Sequence, residues 1–263
     1  MVRQILPAQR RQQILDYLQR HRTVRSTVLR DLFESSEATI RRDLEWLEKH
    51  GLVERTHGGA ILVQRMQHEA VYHASAQTNQ EEKRRIGRLA ASLVENGETI
   101  FLNNGTTTTE VMLALKQRAD LENITVFTNN VSAAVAAQDT PFEVVLLGGA
   151  YRPRSYSLVG RFAGDVLRKV FAQRVILGAD GIGVRHGCTS PISSEAEIGR
   201  LMMERCLGPT VIVVDHSKWG VIGSYQVASI DQVDIIVTDS KLPDDSQQGM
   251  EKLDVQLLIA EDE

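Results

Sequence analysis

The sequence predicts an α/β chain in two parts, an N-terminal winged helix-turn-helix joined to an open, mostly parallel α/β sheet. Three observations lead there. Short amphipathic patterns and a Gly-containing hairpin fill the first quarter of the chain, and apolar runs separated by helical patterns fill the rest. The charge divides at the same place: residues 1–66 carry 12 Lys/Arg against 8 Asp/Glu, leaving 18 against 26 for the remainder. A basic head on an acidic body suggests that only the head meets a polyanion.

In the head, Ile14, Leu15 and Leu18 fall at helical spacing from Ala8 to Arg20. A second helix fits Ser26 to Phe33, with Ser26 as cap and Val28, Leu29 and Leu32 inward. A third starts after Ser36, buries Ile40, Leu44 and Leu47, and stops at "KHG", where Gly51 supplies a left-handed residue. Two strands, Leu52 to Arg55 and Ala60 to Val63, follow around the turn at Gly58 and Gly59. Residues 1–63 are therefore the expected winged helix-turn-helix, and the polar stretch 64–80 reads as a linker. Residues 81–263 form the body, which opens with an amphipathic helix at Glu81 to Val94. The runs "TIFL", "ITVFT", "FEVVLLGG", "RVILGADG", "TVIVVDHS" and "VDIIVTD" then suit strands buried on both faces.

The 263 residues, 42% hydrophobic, suit an ordinary globular core. No apolar run approaches the roughly 20 residues of a membrane span, and "MVRQILPAQRRQQ" lacks the apolar centre of a signal peptide. A cytoplasmic protein without a membrane partner is expected. Cys188 and Cys206 form neither a disulfide framework nor a metal-ligand spacing, so buried free thiols and no metal are expected.

In "SSEATIRRDLEWLEKHG" the buried face leaves Glu37, Thr39, Arg41 and Arg42 on or beside the outer N-terminal side, the part of a recognition helix that approaches base edges. Either arginine can grip guanine bidentately or clamp a phosphate, while Ser36 and Thr39 suit phosphate or thymine-methyl contacts. Arg55 and His57 would come from the wing. The competing reading, a solvated helix face with intrahelical ion pairs, is weakened by the preceding helix, the Gly-rich wing and the local positive charge.

In an open α/β sheet, ligands sit at the carboxyl ends of the strands, and polar and glycine residues gather there. "NNGTTTTE" after the first body strand offers helix-start amides and hydroxyls, so Gly105, Thr106, Thr107 and Thr108 read as a phosphate cradle. Lys218 in "DHSKWG" would add a point charge. Asn103, Asn104, Asn129, Gly148, Gly149, Asp180 and Asp215 follow strand ends and would line the same pocket. Without the Gly-Lys-Ser/Thr of a nucleotide loop, ATP does not fit; "GADGIG" does not match G-x-G-x-x-G, so no dinucleotide cofactor is expected. Asp215, His216 and Ser217 are consecutive and point in different directions, which excludes a triad.

The stretch "SEATIRRDLEWLEKHGLVERTHGGA", with Arg11 and Ile14 upstream, strongly resembles the N-terminal signature of the DeoR family of bacterial transcriptional regulators. "NQEEK", "NNGTTTTE", "TNN", "LLGG", "SLVG", "GADGI", "GCTS", "DHSKWG" and "IIVTD" extend the resemblance in family order through most of the chain. It implies a body that looks like ribose-5-phosphate isomerase and senses sugar phosphates. It also implies a dimer or tetramer on double-stranded operator DNA, and repression of a carbohydrate operon until a phosphorylated sugar binds. Similar isomerases carry an acidic pair in the equivalent of "GADGI" and a glutamate beyond it. Here Asp180 is followed by Gly181, and Glu195 in "CTSPISSEAE" is the match for the glutamate, a pattern that fits binding without turnover. An isomerase with an appended DNA-binding head is the alternative. Two departures from the family pattern stand out: Asn103 and Asn104 replace Asp-Ser before the threonines, and Ser75 stands where an arginine is expected. The helix at Glu81 to Val94 is the expected coupling element, because it joins linker to pocket.

Overall fold

The computed structural model describes residues 6–56, 58–66, 68–242 and 254–262. The head begins with α1 (Pro7–His21), β1 (Thr23–Arg25), α2 (Ser26–Leu32) and α3 (Glu37–Lys49), and ends with the hairpin β2 (Val53–Arg55) and β3 (Gly59–Leu62). Ser36 caps α3 by accepting the Thr39 N–H at 3.2 Å, and Gly51 takes φ 67° after the helix, as its place in the sequence requires. Ile14, Leu18, Leu29, Ile40, Leu44 and Leu47 form a closed core with Val53 and Ala60.

Two expectations for α2 fail. Arg25, not Ser26, precedes the helix, and the Ser26 amide bonds the Gly58 carbonyl of the wing turn instead. Val28 and Leu32 lie one turn apart on the outer side, 41% and 54% exposed, because a two-turn helix inserts only Leu29 between α3 and the hairpin. The short strand β1 also goes beyond the sequence reading; it pairs antiparallel with β3 to make a three-stranded wing sheet.

The stretch 64–80 carries secondary structure where a linker is expected. It holds β4 (Gln64–Arg65) and α4 (Tyr72–Gln77). The fully buried Lys83 donates to the carbonyls of Ser75 and Thr78, and the Tyr72 hydroxyl meets Thr109 Oγ1 at 2.9 Å. Part of its polar composition thus serves hydrogen bonds to the body, while much of the stretch stays exposed.

The body continues through α5 (Gln80–Ser92), β5 (Thr99–Leu102), α6 (Thr106–Lys116), β6 (Thr125–Thr128), α7 (Val131–Ala136), β7 (Glu143–Leu146), β8 (Ala150–Arg152), β9 (Ser157–Val159) and α8 (Arg161–Leu167). It is completed by β10 (Arg174–Gly178), β11 (Gly181–Gly183), β12 (Gly187–Ser190), α9 (Ser193–Glu204), β13 (Thr210–Val213), β14 (Val221–Ile222), β15 (Tyr225–Ala228), β16 (Ile235–Asp239) and β17 (Gln256–Ala260). Seven strands form a parallel sheet in the order β17-β16-β13-β10-β5-β6-β7. Alternate residues face opposite sides: Ile100 and Leu102 pack with α5 and α6, whereas Phe101, Val175 and Leu177 pack with α8 and α9. Burial on both faces explains why these strands read as unbroken apolar runs. Cys188 lies fully inside, and burial pushes its thiol up to about 12; Cys206 is half-buried.

After β5 the chain winds toward β6 and β7, and later it returns on the other side through β10 and β13. The carboxyl ends of β5 and β10 therefore flank the switch point of the sheet, where such folds leave a crevice. Beside it, β11, β12 and β15 form a small antiparallel sheet, and β14 pairs with β4. That pairing ties the chain leaving the wing to the body. The Gln64 amide bonds the Gly220 carbonyl at 2.9 Å, and the backbone amide of Arg185 donates to Glu54 of the wing at 3.1 Å. Burial at this seam raises the Glu54 carboxyl above its ordinary range.

Candidate functional site

A pocket opens at the switch point. Its wall comes from the end of β5 and the start of α6 (Asn103 to Thr107), the end of β10 (Gly178 to Asp180), Thr189, Ser190, Glu195 and Lys218. A further side is the segment leaving the head, through Glu69, Ala70, Tyr72 and Ser75. Gly105, at φ 143°, precedes α6 without supplying any side-chain cap. The first turn of α6 therefore keeps its positive end and its amides for an anion.

The threonines divide their work. Thr106 and Thr107 stand on the pocket wall, whereas Thr108 is fully buried and donates to the carbonyls of Asn103 (2.8 Å) and Gly105 (3.0 Å). Thr108 shapes the loop instead of lining the pocket. Asn130 completes the knot, donating to the Gly105 carbonyl at 2.9 Å and to the Thr109 hydroxyl at 3.0 Å. Asn103 is likewise committed: its amide donates to the Gly178 carbonyl at 2.9 Å and accepts the Gly178 N–H at 2.8 Å, clamping β5 to β10. Asn103→Ala would leave both peptide groups of Gly178 unpaired, and a destabilisation of about 1–3 kcal/mol is expected. Urea denaturation followed by circular dichroism measures it, and an unchanged midpoint would remove the clamp role.

Four further sequence-expected residues, Asn129, Gly148, Gly149 and Asp215, lie off the pocket wall. Asn129 is completely buried and directs its amide to Asn104 Oδ1 (3.3 Å) and the Leu158 carbonyl (3.2 Å), which leaves Asn104 as the nearer of the two to a ligand. Gly148 and Gly149 sit in the exposed turn between β7 and β8, where Gly149 holds φ 147° against the Val159 carbonyl. The sheet twists that strand end away from the switch point, since β7 is the edge strand. Asp215 is 1% exposed and turns into its own loop, accepting the Ser217 N–H at 2.9 Å and the Asn79 amide at 2.9 Å. It holds the one-turn helix His216–Lys218 so that Lys218 reaches the pocket. His216 bonds Asp239 at 2.8 Å, which raises its imidazole above the ordinary range, and so it braces the same loop.

Lys218 has no carboxylate within ion-pair distance among the described residues, so its ammonium remains available. The pocket also holds acidic side chains. Asp180 accepts the Ser190 hydroxyl at 3.0 Å; burial raises its carboxyl, against the pull of Lys218. Glu195 receives Arg152 Nε (3.1 Å) and the hydroxyls of Ser155 and Ser157, all on one oxygen. Glu69 and Ser155 were not legible as pocket residues, because no local motif marks them, and Thr189 and Ser190 of "GCTS" were not singled out, because only the tertiary fold brings them here.

In the head, the cap Ser36 and Glu37, Arg41 and Arg42 of α3 are exposed, and Thr39 is half-exposed. Among the described residues Arg41 pairs with Glu45, one turn on, at 3.1 Å. Asp43 is different: it is buried and ion-paired to Arg10 and Arg11 of α1, so it belongs to the head's frame and not to a solvated face. Arg55 lies against α3, its guanidinium donating to the Arg41 carbonyl at 3.4 Å. His57 lies outside the described residues.

A winged helix fused to a pocketed α/β domain defines the class, a DNA-binding protein with a ligand-sensing body. Residues 10–66 match the DeoR-like helix-turn-helix domain and residues 78–240 the DeoR C-terminal sensor domain, so the chain belongs to the DeoR family of transcriptional regulators. It is 34% identical to the HTH-type transcriptional regulator GlpR of Haloferax volcanii, over 95% of this chain and 97% of that one. Against the HTH-type transcriptional repressor GlcR of Bacillus subtilis it is 32% identical, over 94% of each. Among solved structures, ribose 5-phosphate isomerase A of Methanocaldococcus jannaschii overlaps 54% of the chain (55% of its own) at TM-score 0.41 and 17% identity. The chain is a DNA-binding regulator and not an isomerase, in keeping with relatives that are regulators along nearly their whole length. No helix among the described residues is long and apolar enough to cross a membrane.

Proposed function

We propose that the chain represses a carbohydrate-metabolism operon and releases its operator when a phosphorylated sugar occupies the switch-point pocket. Residues 1–63 would read DNA and residues 81–263 would sense the effector and oligomerise, with 64–80 between them. One observation carries the ligand class: Lys218, with no ion pair among the described residues, shares a pocket with the uncapped start of α6 and with the carboxylates Asp180, Glu195 and Glu69. The first pair suits a phosphate and the second suits hydroxyl groups. Ser36, Glu37, Thr39, Arg41 and Arg42 form the DNA face. One head covers a half-site, so the working form is at least a dimer on a repeated or palindromic operator.

The test is a gel shift on the gene's own upstream region, repeated with a panel of sugar phosphates. A retarded band that one of them dissolves is expected; a band indifferent to the whole panel would overturn the effector class. With the responsive compound in hand, Lys218→Met should cost about 2 kcal/mol of effector binding, or about thirty-fold in affinity, the value of a charge-assisted hydrogen bond. Isothermal titration reads it directly.

A further inference from the structure

The pocket wall includes chain that belongs to neither the sheet nor its helices. Glu69 lies four residues beyond β4, and Ala70, Tyr72 and Ser75 continue the same wall. One oxygen of Glu69 is held by Arg152 at 2.7 Å, with Arg154 at 3.7 Å. The other, Oε1, is shut from solvent and has no hydrogen-bond partner. A carboxylate oxygen in that condition is costly, because it has given up water without receiving a donor. It lacks a donor, and the pocket beside it is where a sugar's donors would lie.

We propose that Glu69 is an effector-reading residue that connects the pocket to the DNA-binding head: its carboxylate accepts a hydroxyl or amino group from the end of a sugar phosphate remote from the phosphate. The inference rests on the functional reading above and adds the residue and the route. Because Oε1 is enclosed, a ligand donor reaches it only if the chain around Glu69, residues 68–75, shifts. Two short attachments bear the consequence. β4 is held to β14 by the Gln64 and Met66 amides, and Arg22 of the head bonds both Gln64 and the Ser217 carbonyl, at 3.1 Å for the latter. Ser217 adjoins Lys218, so a ligand that spans Lys218 and Glu69 pulls on both sides of the seam between body and head. The operator-bound arrangement and the ligand-bound arrangement then compete, which is the requirement for release.

The experiment uses the full-length chain and its operator, with Glu69→Gln and Glu69→Asp. Glutamine keeps an oxygen for Arg152 but presents an amide where the carboxylate oxygen stood, and aspartate keeps the charge but withdraws it. Operator affinity should stay within two-fold of wild type for both, while ribose 5-phosphate, glucose 6-phosphate or glucosamine 6-phosphate, whichever releases the wild type, should need at least ten-fold higher concentration. Comparing the hydroxyl and amino sugars identifies the donor that Glu69 reads. Inorganic phosphate, which needs only Lys218 and α6, should bind wild type and variants alike in a thermal shift. Release of both variants at the wild-type concentration would overturn the role of Glu69 while leaving the sugar-phosphate reading intact. If none of the compounds releases the wild type, both fall together.

Discussion

Replacing Asp43 with alanine is expected to unfold the DNA-binding head while the α/β body stays folded. Asp43 is 1% exposed at the α1–α3 contact, and its two oxygens hold Arg10 and Arg11 separately, the latter at 2.8 Å. Arg10 is itself buried, and Arg11 also lies over the Trp46 ring at 4.5 Å. Removing one partner of a buried ion pair leaves the other charge uncompensated, at a cost of about 3–5 kcal/mol. A sixty-residue head has a small core, and stabilities of about 0.05–0.15 kcal/mol per residue imply that such a loss consumes most of what it has. Trp46 is in the head and Trp219 in the body, so fluorescence of single-tryptophan chains resolves the two parts. An early urea transition reported by Trp46 alone is the expected signature. A change below about 1 kcal/mol would place Asp43 with ordinary surface pairs.

Asp43 also shows what the sequence could and could not disclose. The helices and parallel strands were legible because their burial is periodic or continuous: Ile40, Leu44 and Leu47 mark α3, and "RVILG" marks β10. Within "IRRDL", the helical spacing from Ile40 puts Asp43 on the inward side and Arg41 and Arg42 off it, but the partners of Asp43, 32 and 33 residues away, carry no local signal. The small strands β8, β9, β11 and β12 were missed for a related reason, since three or four residues carry too little alternation to be read. For the pocket, strand ends predicted Gly105, Thr106, Thr107, Asp180 and Lys218, all of which line it. The same rule overreached at Gly148 and Gly149, because a strand end says nothing about a strand's place in the sheet, and β7 is at the edge. Glu69 could not be found at all without the fold, standing as it does in a stretch with no periodicity.

Removing both exposed arginines of α3 should abolish specific operator binding without disturbing the head. The Arg41 side chain is 73% exposed and its ion pair with Glu45 is open to solvent. Exposed pairs of this kind are worth about 0–1 kcal/mol, so Arg41 can leave Glu45 for DNA at little cost and its loss should not destabilise α3. If each arginine grips a base bidentately, each contributes about 1–3 kcal/mol of discrimination, and Arg41→Ala/Arg42→Ala would weaken operator binding by about thirty-fold or considerably more. The two modes of contact separate by salt. An arginine on phosphate lowers the slope of log K against log salt by about one and weakens all sequences alike, whereas one on a base edge leaves the slope and erases preference at its own position. Arg55 provides the internal comparison. Its guanidinium already donates to the Arg41 carbonyl, so Arg55→Ala should loosen the wing against α3 and alter binding through the shape of the head. Fluorescence anisotropy of the single and double variants at several salt concentrations, on operator and on scrambled DNA, distinguishes these cases. Undiminished binding by the double variant would move DNA recognition away from α3, and among the described residues of the head no other exposed basic pair is as well placed near the start of a capped helix.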